Sequence, residues 1–305
     1  MPSQESKDVI EMLRSAPAAA EGGTIEEMRA GMENNPVFAG TPPAADVVCT
    51  PDTAGGVPIE FIVAPGASET QVILYLHGGG YTMGSIATHR GLCGRISRAA
   101  GTRVISVGYR LAPENPFPAA VDDAVAAYES LLASGYAANQ LAIAGDSAGG
   151  GLTAATLLAL KKRGTALPAC AVLMSPWTDM VITGESIESR ASRDPMIRGG
   201  SDLLRGMANM YVGEAPATNP LASPLYGELE GLPPLLIHVG SEEVLFSDAD
   251  RFHKKAVAAG VNSTFKEWDG QVHVFQAFGD VPEAQQAVVE IGEFVKANMR
   301  VAVPA

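Results

Sequence analysis

The residue types best suited to chemistry fall in three short stretches. Gly145-Asp146-Ser147-Ala148-Gly149 fits the pattern G-x-S-x-G. A short apolar run, Leu141–Ala144, precedes it, and an Ala- and Leu-rich helical stretch, Ala148–Lys162, follows. A serine at so sharp a strand-to-helix turn is held in a strained backbone conformation, and the flanking glycines avoid collisions with neighbouring backbone. The helix start directs free amides and its dipole at developing negative charge. A capping serine at a Gly-rich helix start would explain the pentapeptide alone, but the strand–turn–helix setting favours Ser147 as a nucleophile. His77-Gly78-Gly79-Gly80 ends another apolar run, 70 residues earlier (147 − 77). Alone it would read as a flexible turn. Paired with the serine turn, the amides of Gly78, Gly79 and Gly80, with that of Ala148, are candidates to hold an oxyanion. The third stretch is Asp269-Gly270-Gln271-Val272-His273-Val274-Phe275. Of five histidines, His77 belongs to the glycine motif, and His89 and His253 fall in helical patterns and are expected to be exposed. His238 lies within a strand and is expected to be a hydrogen-bonded core histidine. His273 remains as the general base, in the chain order serine, acid, histidine.

These groups need elements to hold them. The first 45 residues carry two helical stretches, near 4–15 and 24–35, separated by an Ala/Gly segment with Pro17 and ended by Pro36, Pro42 and Pro43. From Val47 the pattern turns strand-like. Val57–Ala64 alternates after Gly55-Gly56, a hairpin signal. Apolar runs then alternate with helical segments: Gln71–His77, Thr102–Tyr109, Leu141–Ala144, Cys170–Ser175, Pro234–Val239 and Thr264–Trp268 as strands. Helices are expected at 119–134, 148–162, 248–259 and 282–299. This predicts a mostly parallel sheet covered on both faces by helices. Between Thr178 and Leu232 the alternation stops, and roughly fifty residues without a strand read as an inserted cap element. The division expected is therefore 1–45 as N-terminal cap helices, 46–177 with 233–305 as the core, and 178–232 as the cap insertion. Met196, Ile197, Met210 and Tyr211 of the insertion, with Val274, are candidates to line a substrate pocket.

Composition narrows the classes. The chain has 305 residues, 47% of them hydrophobic, enough for one large core. A net charge of −13 disfavours nucleic acid and anionic membranes as partners. The N-terminus carries Glu5, Asp8 and Glu11 and no apolar run, so neither a secretory signal nor a membrane span is expected. Three widely spaced cysteines, Cys49, Cys93 and Cys170, suit buried, reduced thiols in a cytoplasmic protein. No His, Asp or Glu cluster has metal-ligand spacing, so no metal and no cofactor is expected.

Taken together, HGGG at 77–80, YRLAPENPFPAAVDD at 109–123, GDSAGGGL at 145–152, SPWTD at 175–179 and EWDGQVHVFQAF at 267–278 resemble the bacterial hormone-sensitive lipase family of esterases. The resemblance runs from about residue 71 to 300. It implies an α/β-hydrolase fold with an eight-stranded sheet, a cap made from the N-terminal helices plus an insertion, and activity on short-acyl esters without a cofactor. It implies structural roles for Glu114, Asp122 and Asp123, anchoring the loop behind the oxyanion site. The partner expected is a small-molecule ester, with a homodimer as a further option. A non-catalytic receptor on this fold typically lacks the histidine that is present here. An amidase, or a lipase for long acyl chains, would use the same residues.

In this fold the triad acid lies in the loop after the strand ending at Val239, where Glu242, Glu243 and Asp248 are the candidates. The resembling esterases carry the acid two positions before a leucine, as D-P-L. Leu245 is the matching leucine, so Glu243 takes the acid's place and Val244 the proline's. Either carboxylate can orient a histidine. Glu242 is expected to point elsewhere, and Asp248 to sit at the start of the next helix.

Overall fold

Eight strands form one sheet in the order β1-β2-β4-β3-β5-β6-β7-β8. The computed structural model describes residues 1–16, 24–34 and 41–299. The breaks assigned to Pro17 and Pro36 lie outside the described residues. The strands are β1 Val48–Ala54, β2 Val57–Val63, β3 Ser68–Leu76, β4 Thr102–Val107, β5 Leu141–Asp146, β6 Cys170–Met174, β7 Leu235–Gly240 and β8 Ser263–Trp268. β1 and β2 form the expected hairpin, with Ala54 facing Val57 across Gly55 and Gly56, both at positive φ. A two-residue turn with both central residues left-handed matches the twist of the flanking strands, which is why two glycines stand there. β2 joins β4 antiparallel, and every later pairing is parallel. The central strands β5, β6 and β7 are buried along their whole length, so they read as apolar runs without alternation.

The helices are α1 Gln4–Ser15, α2 Ile25–Asn34, α3 Ile86–Ala100, α4 Ala119–Ala133, α5 Ala148–Arg163, α6 Ser186–Ser189, α7 Gly200–Val212, α8 Phe246–Ala258 and α9 Pro282–Asn298. One face of the sheet packs a cluster that includes Leu74, Ile143, Leu157 of α5 and Phe252 of α8. The other packs Ile73, Tyr75 and Val172 against Leu92 and Ile96 of α3 and Ile291 of α9. A third cluster joins Leu13 of α1 to Trp268, Val272, Phe275 and Phe278 around the histidine segment. Ser3, the N-cap of α1, bonds Glu283 of α9 through its amide at 2.6 Å and its hydroxyl at 2.7 Å. Two of the three thiols are buried as expected; Cys49, on the edge strand β1, is only half-buried, and all three are unpaired. Among the described residues, no helix is long and apolar enough to cross a membrane.

Candidate active site

The register brings the three chemical stretches to one end of the sheet. Leu76 pairs with Gly145, so the glycine stretch leaves β3 beside the serine turn that leaves β5. Gly240 pairs with Trp268, so the acid loop after β7 faces the histidine loop after β8. These are the carboxyl ends of parallel strands, where open α/β sheets place their ligands.

Ser147 has φ 53° and ψ −121°, a region that strains any residue with a Cβ. It is over-determined from three sides. Its N–H donates to Met174 O at 2.8 Å, and its carbonyl accepts from Trp177 N at 2.9 Å and Gly151 N at 3.1 Å. A Cβ on Gly149 would lie inside the contact shell of Leu76 O and His77 O. The helix can therefore start only if that position has no side chain.

His273 Nε2 lies 2.9 Å from Ser147 Oγ, and His273 Nδ1 lies 2.9 Å from Glu243 Oε2. Glu243 is fully buried, and its Oε1 accepts from the N–H of Gly240 and from Ser175 Oγ at 2.8 Å. Ser175 Oγ also accepts from Val274 N at 3.1 Å, so one hydroxyl ties the acid to the histidine loop. Burial alone would lower the imidazole pKa. The hydrogen bond and charge of Glu243, aided by Asp194 and Asp146, outweigh it and hold His273 above its ordinary 6.5. The other acid candidates are committed elsewhere. Glu242 is held by Arg193, with Oε2 2.7 Å from Nε. Asp248, in the first turn of α8, accepts from Thr178 N at 2.8 Å and Asp179 N at 2.9 Å, and burial lifts it to about 7.

The glycine stretch requires one correction. Gly78 N donates to Asp146 Oδ1 at 3.1 Å, so it is not available to an oxyanion. The N–H groups of Gly79, Gly80 and Ala148 find no acceptor among the described residues. Asp146 also accepts from Tyr75 Oη at 2.6 Å and lies 3.4 Å from His89 Nε2. Burial raises the Asp146 carboxyl, but the His89 charge outweighs it and the net shift is downward; burial lowers the His89 imidazole, but Asp146 outweighs it and the net shift is upward. Each group thus favours the charged form of the other beneath the glycine loop. His89 is thus buried rather than exposed, because α3 lies against the sheet under the sheathing helix α9. His253 is half-buried and bonded to Ser263 Oγ at 2.9 Å. His238 is buried, but neither ring nitrogen has a hydrogen-bond partner among the described residues; burial keeps it neutral, with a pKa of about 3.

Other groups hold this loop from outside. Arg29 of α2 donates to Thr82 O and Ala112 O, each at 2.8 Å, and pairs bidentately with Glu114. Asp123 accepts from Arg110 N at 2.8 Å, while Asp122 faces outward, 3.9 Å from Arg163. Of the pocket candidates, Tyr211 stacks on Tyr81 at 3.6 Å between centroids, and Val274 is buried directly after His273 at φ 50°. Ile197 is buried and Met210 half-buried in the main cluster, while Met196 packs on the cluster around Phe275. Met207, an apolar residue of the insertion that was not among the pocket candidates, places its Sδ in the space that a side chain at Gly80 would need. Asp194 and Ser175 were also missed; only Ser175 carried a signal, as part of SPWTD.

A strained serine at the carboxyl end of a central parallel strand, served by a histidine from the loop after the last strand, defines an α/β-hydrolase. The chain belongs to that family: the family model of the alpha/beta hydrolase fold matches residues 73–277. Within it, the chain falls with the bacterial hormone-sensitive lipase family of esterases. It is 45% identical to an acetyl-hydrolase of Streptomyces hygroscopicus over 258 residues, 84% of each chain. It is 38% identical to an esterase of Acinetobacter venetianus over 229 residues, 75% of each. A crystal structure of an esterase from the bacterial hormone-sensitive lipase family superimposes with a TM-score of 0.92 at 45% identity, covering 98% of this chain and all of the other.

Proposed function

We propose that the chain is a carboxylesterase that cleaves short- to medium-chain acyl esters through Ser147, His273 and Glu243 and an acyl-enzyme. The supporting observation is the unbroken line Glu243 Oε2–His273 Nδ1, His273 Nε2–Ser147 Oγ, with both steps at 2.9 Å. His273 Nε2 takes the hydroxyl proton as Oγ bonds the ester carbonyl carbon. The oxyanion that forms is received by the N–H groups of Gly79, Gly80 and Ala148, beside the start of α5. The imidazolium, stabilised by Glu243, then protonates the departing alcohol. Water attacks the acyl-enzyme with His273 again as base, which releases the acid and restores Ser147.

Residues 1–45 and 178–232 form the cap in this reading, and its apolar side chains set the acyl length. Met196, Ile197, Met210, Tyr211 and Val274 are the proposed pocket residues, joined by Met207 against Gly80. Each buried methylene gains about 0.8 kcal/mol until the pocket closes, so the preference expected is about four to eight acyl carbons. The name acetyl-hydrolase carried by the Streptomyces relative is in keeping with a short acyl limit. The test is a series of p-nitrophenyl esters of increasing acyl length. kcat/KM should rise and then fall within that range. Faster turnover of emulsified long-chain triglyceride than of butyrate would replace this reading with a lipase.

A further inference from the structure

Asp194 has no part in the mechanism above, yet it is one of the most buried carboxylates in the molecule, 2% exposed. It belongs to the segment inserted between β6 and β7. Its Oδ1 accepts from Met196 N at 3.0 Å, a local turn at the Asp194-Pro195 step. Its Oδ2 accepts from Val244 N, also at 3.0 Å and 50 residues away. Val244 directly follows Glu243. The local turn requires only the first bond; the second reaches out to the acid loop.

The Val244 amide explains why an acceptor is needed there. A proline at this position would present no N–H, whereas valine places a donor in a buried site, where an unpaired donor is destabilising. Among the described residues, no Lys or Arg forms an ion pair with Asp194. Arg193 of the same segment is engaged with Glu242, and the Arg190 guanidinium lies 3.8 Å over the Phe246 ring. The carboxyl group therefore spends its hydrogen-bonding capacity on two backbone amides, one of them in the acid loop.

We propose that Asp194 is a positioning residue: by holding the Val244 amide from the inserted segment, it sets Glu243 against His273. The other side-chain restraints on Glu243 act on its Oε1, through Gly240 N–H and Ser175 Oγ; just beyond it the inserted segment holds Val244 on both sides, Asp194 taking its N–H and Ser186 Oγ donating to its carbonyl, while Phe246 N donates to the Glu243 carbonyl at 3.2 Å. Glu242 N, which donates to Gln271 O at 3.0 Å, fixes the loop on the other side of the acid. Burial lifts the Asp194 carboxyl to about 6, with the His273 charge lowering it and Glu243 raising it. Asp194 thus lies within electrostatic reach of both. The charged groups that face His273 are Glu243, Asp194 and Asp146, and each favours the imidazolium.

The proposal rests on Glu243 as the triad acid. Its test is Asp194→Asn in the full chain, with p-nitrophenyl butyrate as substrate. Asparagine keeps the volume, but its amide oxygen serves one N–H while its NH2 group meets the other. We expect kcat to fall about tenfold with KM within about twofold, because the acid is misplaced rather than the pocket reshaped. The acid limb of kcat/KM should also move to lower pH, because His273 loses a neighbouring negative charge. Val244→Pro removes the donor, so in that background Asp194→Asn should change kcat much less. A folded Asp194→Asn variant with unchanged kcat, or with an unmoved limb, would overturn the proposal, as would effects that multiply in the double variant. Asp194→Ser, judged by the same criteria, serves where the asparagine variant gives no folded protein. Wild-type turnover in Glu243→Gln would instead remove the acid assignment beneath it.

Discussion

Replacing Glu243 by Gln keeps shape and volume and changes only what the group can accept and donate. In the native site both oxygens accept: Oε2 from His273 Nδ1 at 2.9 Å, and Oε1 from Gly240 N–H and Ser175 Oγ. A glutamine amide cannot satisfy both sides. If its NH2 group faces His273, the ring must accept at Nδ1 and carry its proton on Nε2, the nitrogen that should take the Ser147 proton. If its oxygen faces His273, the NH2 group meets the Gly240 N–H, a buried clash of two donors. Either way the imidazolium loses a full negative charge. The loss expected in kcat is on the order of 10² to 10⁴, with the fold retained. Glu242→Gln, which weakens the contacts to Arg193 and Ser241 Oγ away from His273, should stay within a few-fold of wild type. Asp248→Asn should act on stability rather than rate, because its contacts are the Thr178 and Asp179 amides and Arg251. The assay is steady-state hydrolysis of p-nitrophenyl butyrate, with melting temperature measured in parallel. A Glu243→Gln enzyme near wild-type rate, beside a collapsed Glu242→Gln or a folded but inactive Asp248→Asn enzyme, would refute the reasoning.

Because His273 must be neutral to act as base and its pKa is held above 6.5, kcat/KM should fall as pH drops through a single-proton limb centred above that value; a midpoint below 6.5 in a pH-rate profile would contradict this. Arg29→Met should lower both the melting temperature and kcat by loosening Thr82 and Ala112 beside the glycine loop, and stopped assays with thermal melts would report both. Deleting residues 1–35 should cut activity sharply or leave the protein insoluble, because it uncovers Trp268, Val272 and Phe275 where Leu13 packs; full activity on short esters after the deletion would show that these helices are dispensable.

The parts legible in the sequence were those fixed locally. The serine turn shows itself because its glycines leave a pattern in five consecutive residues, although the backbone that requires them includes Leu76 and His77 on β3 as well as the turn itself, and the central strands because both their faces are buried. The start of β3 was less visible: Glu69 and Thr70 extend the strand past the core as exposed residues, so the apolar pattern begins only at Gln71. What stayed hidden depends on partners distant in the chain. Nothing near Gly78 announces that its amide is taken by Asp146, 68 residues on. His89 looked like a surface histidine because its helix carries polar residues, yet Asp146 reaches its buried face. Met207 and Met210 stand three residues apart on one side of α7, so periodicity does not separate them; packing against Gly80 singles out Met207. Asp194 had no pattern to mark it, because its role is set by one amide on another segment.

The central claim is that Ser147 is the nucleophile, and active-site labelling tests it most directly. A stoichiometric organophosphate should modify the wild-type chain once, on the peptide containing Ser147, with loss of ester hydrolysis in proportion to labelling. The folded Ser147→Ala variant should take up no label and lose turnover by a factor on the order of 10⁴ to 10⁶. Label on another residue, or a folded Ser147→Ala enzyme retaining a tenth of wild-type kcat, would contradict the account.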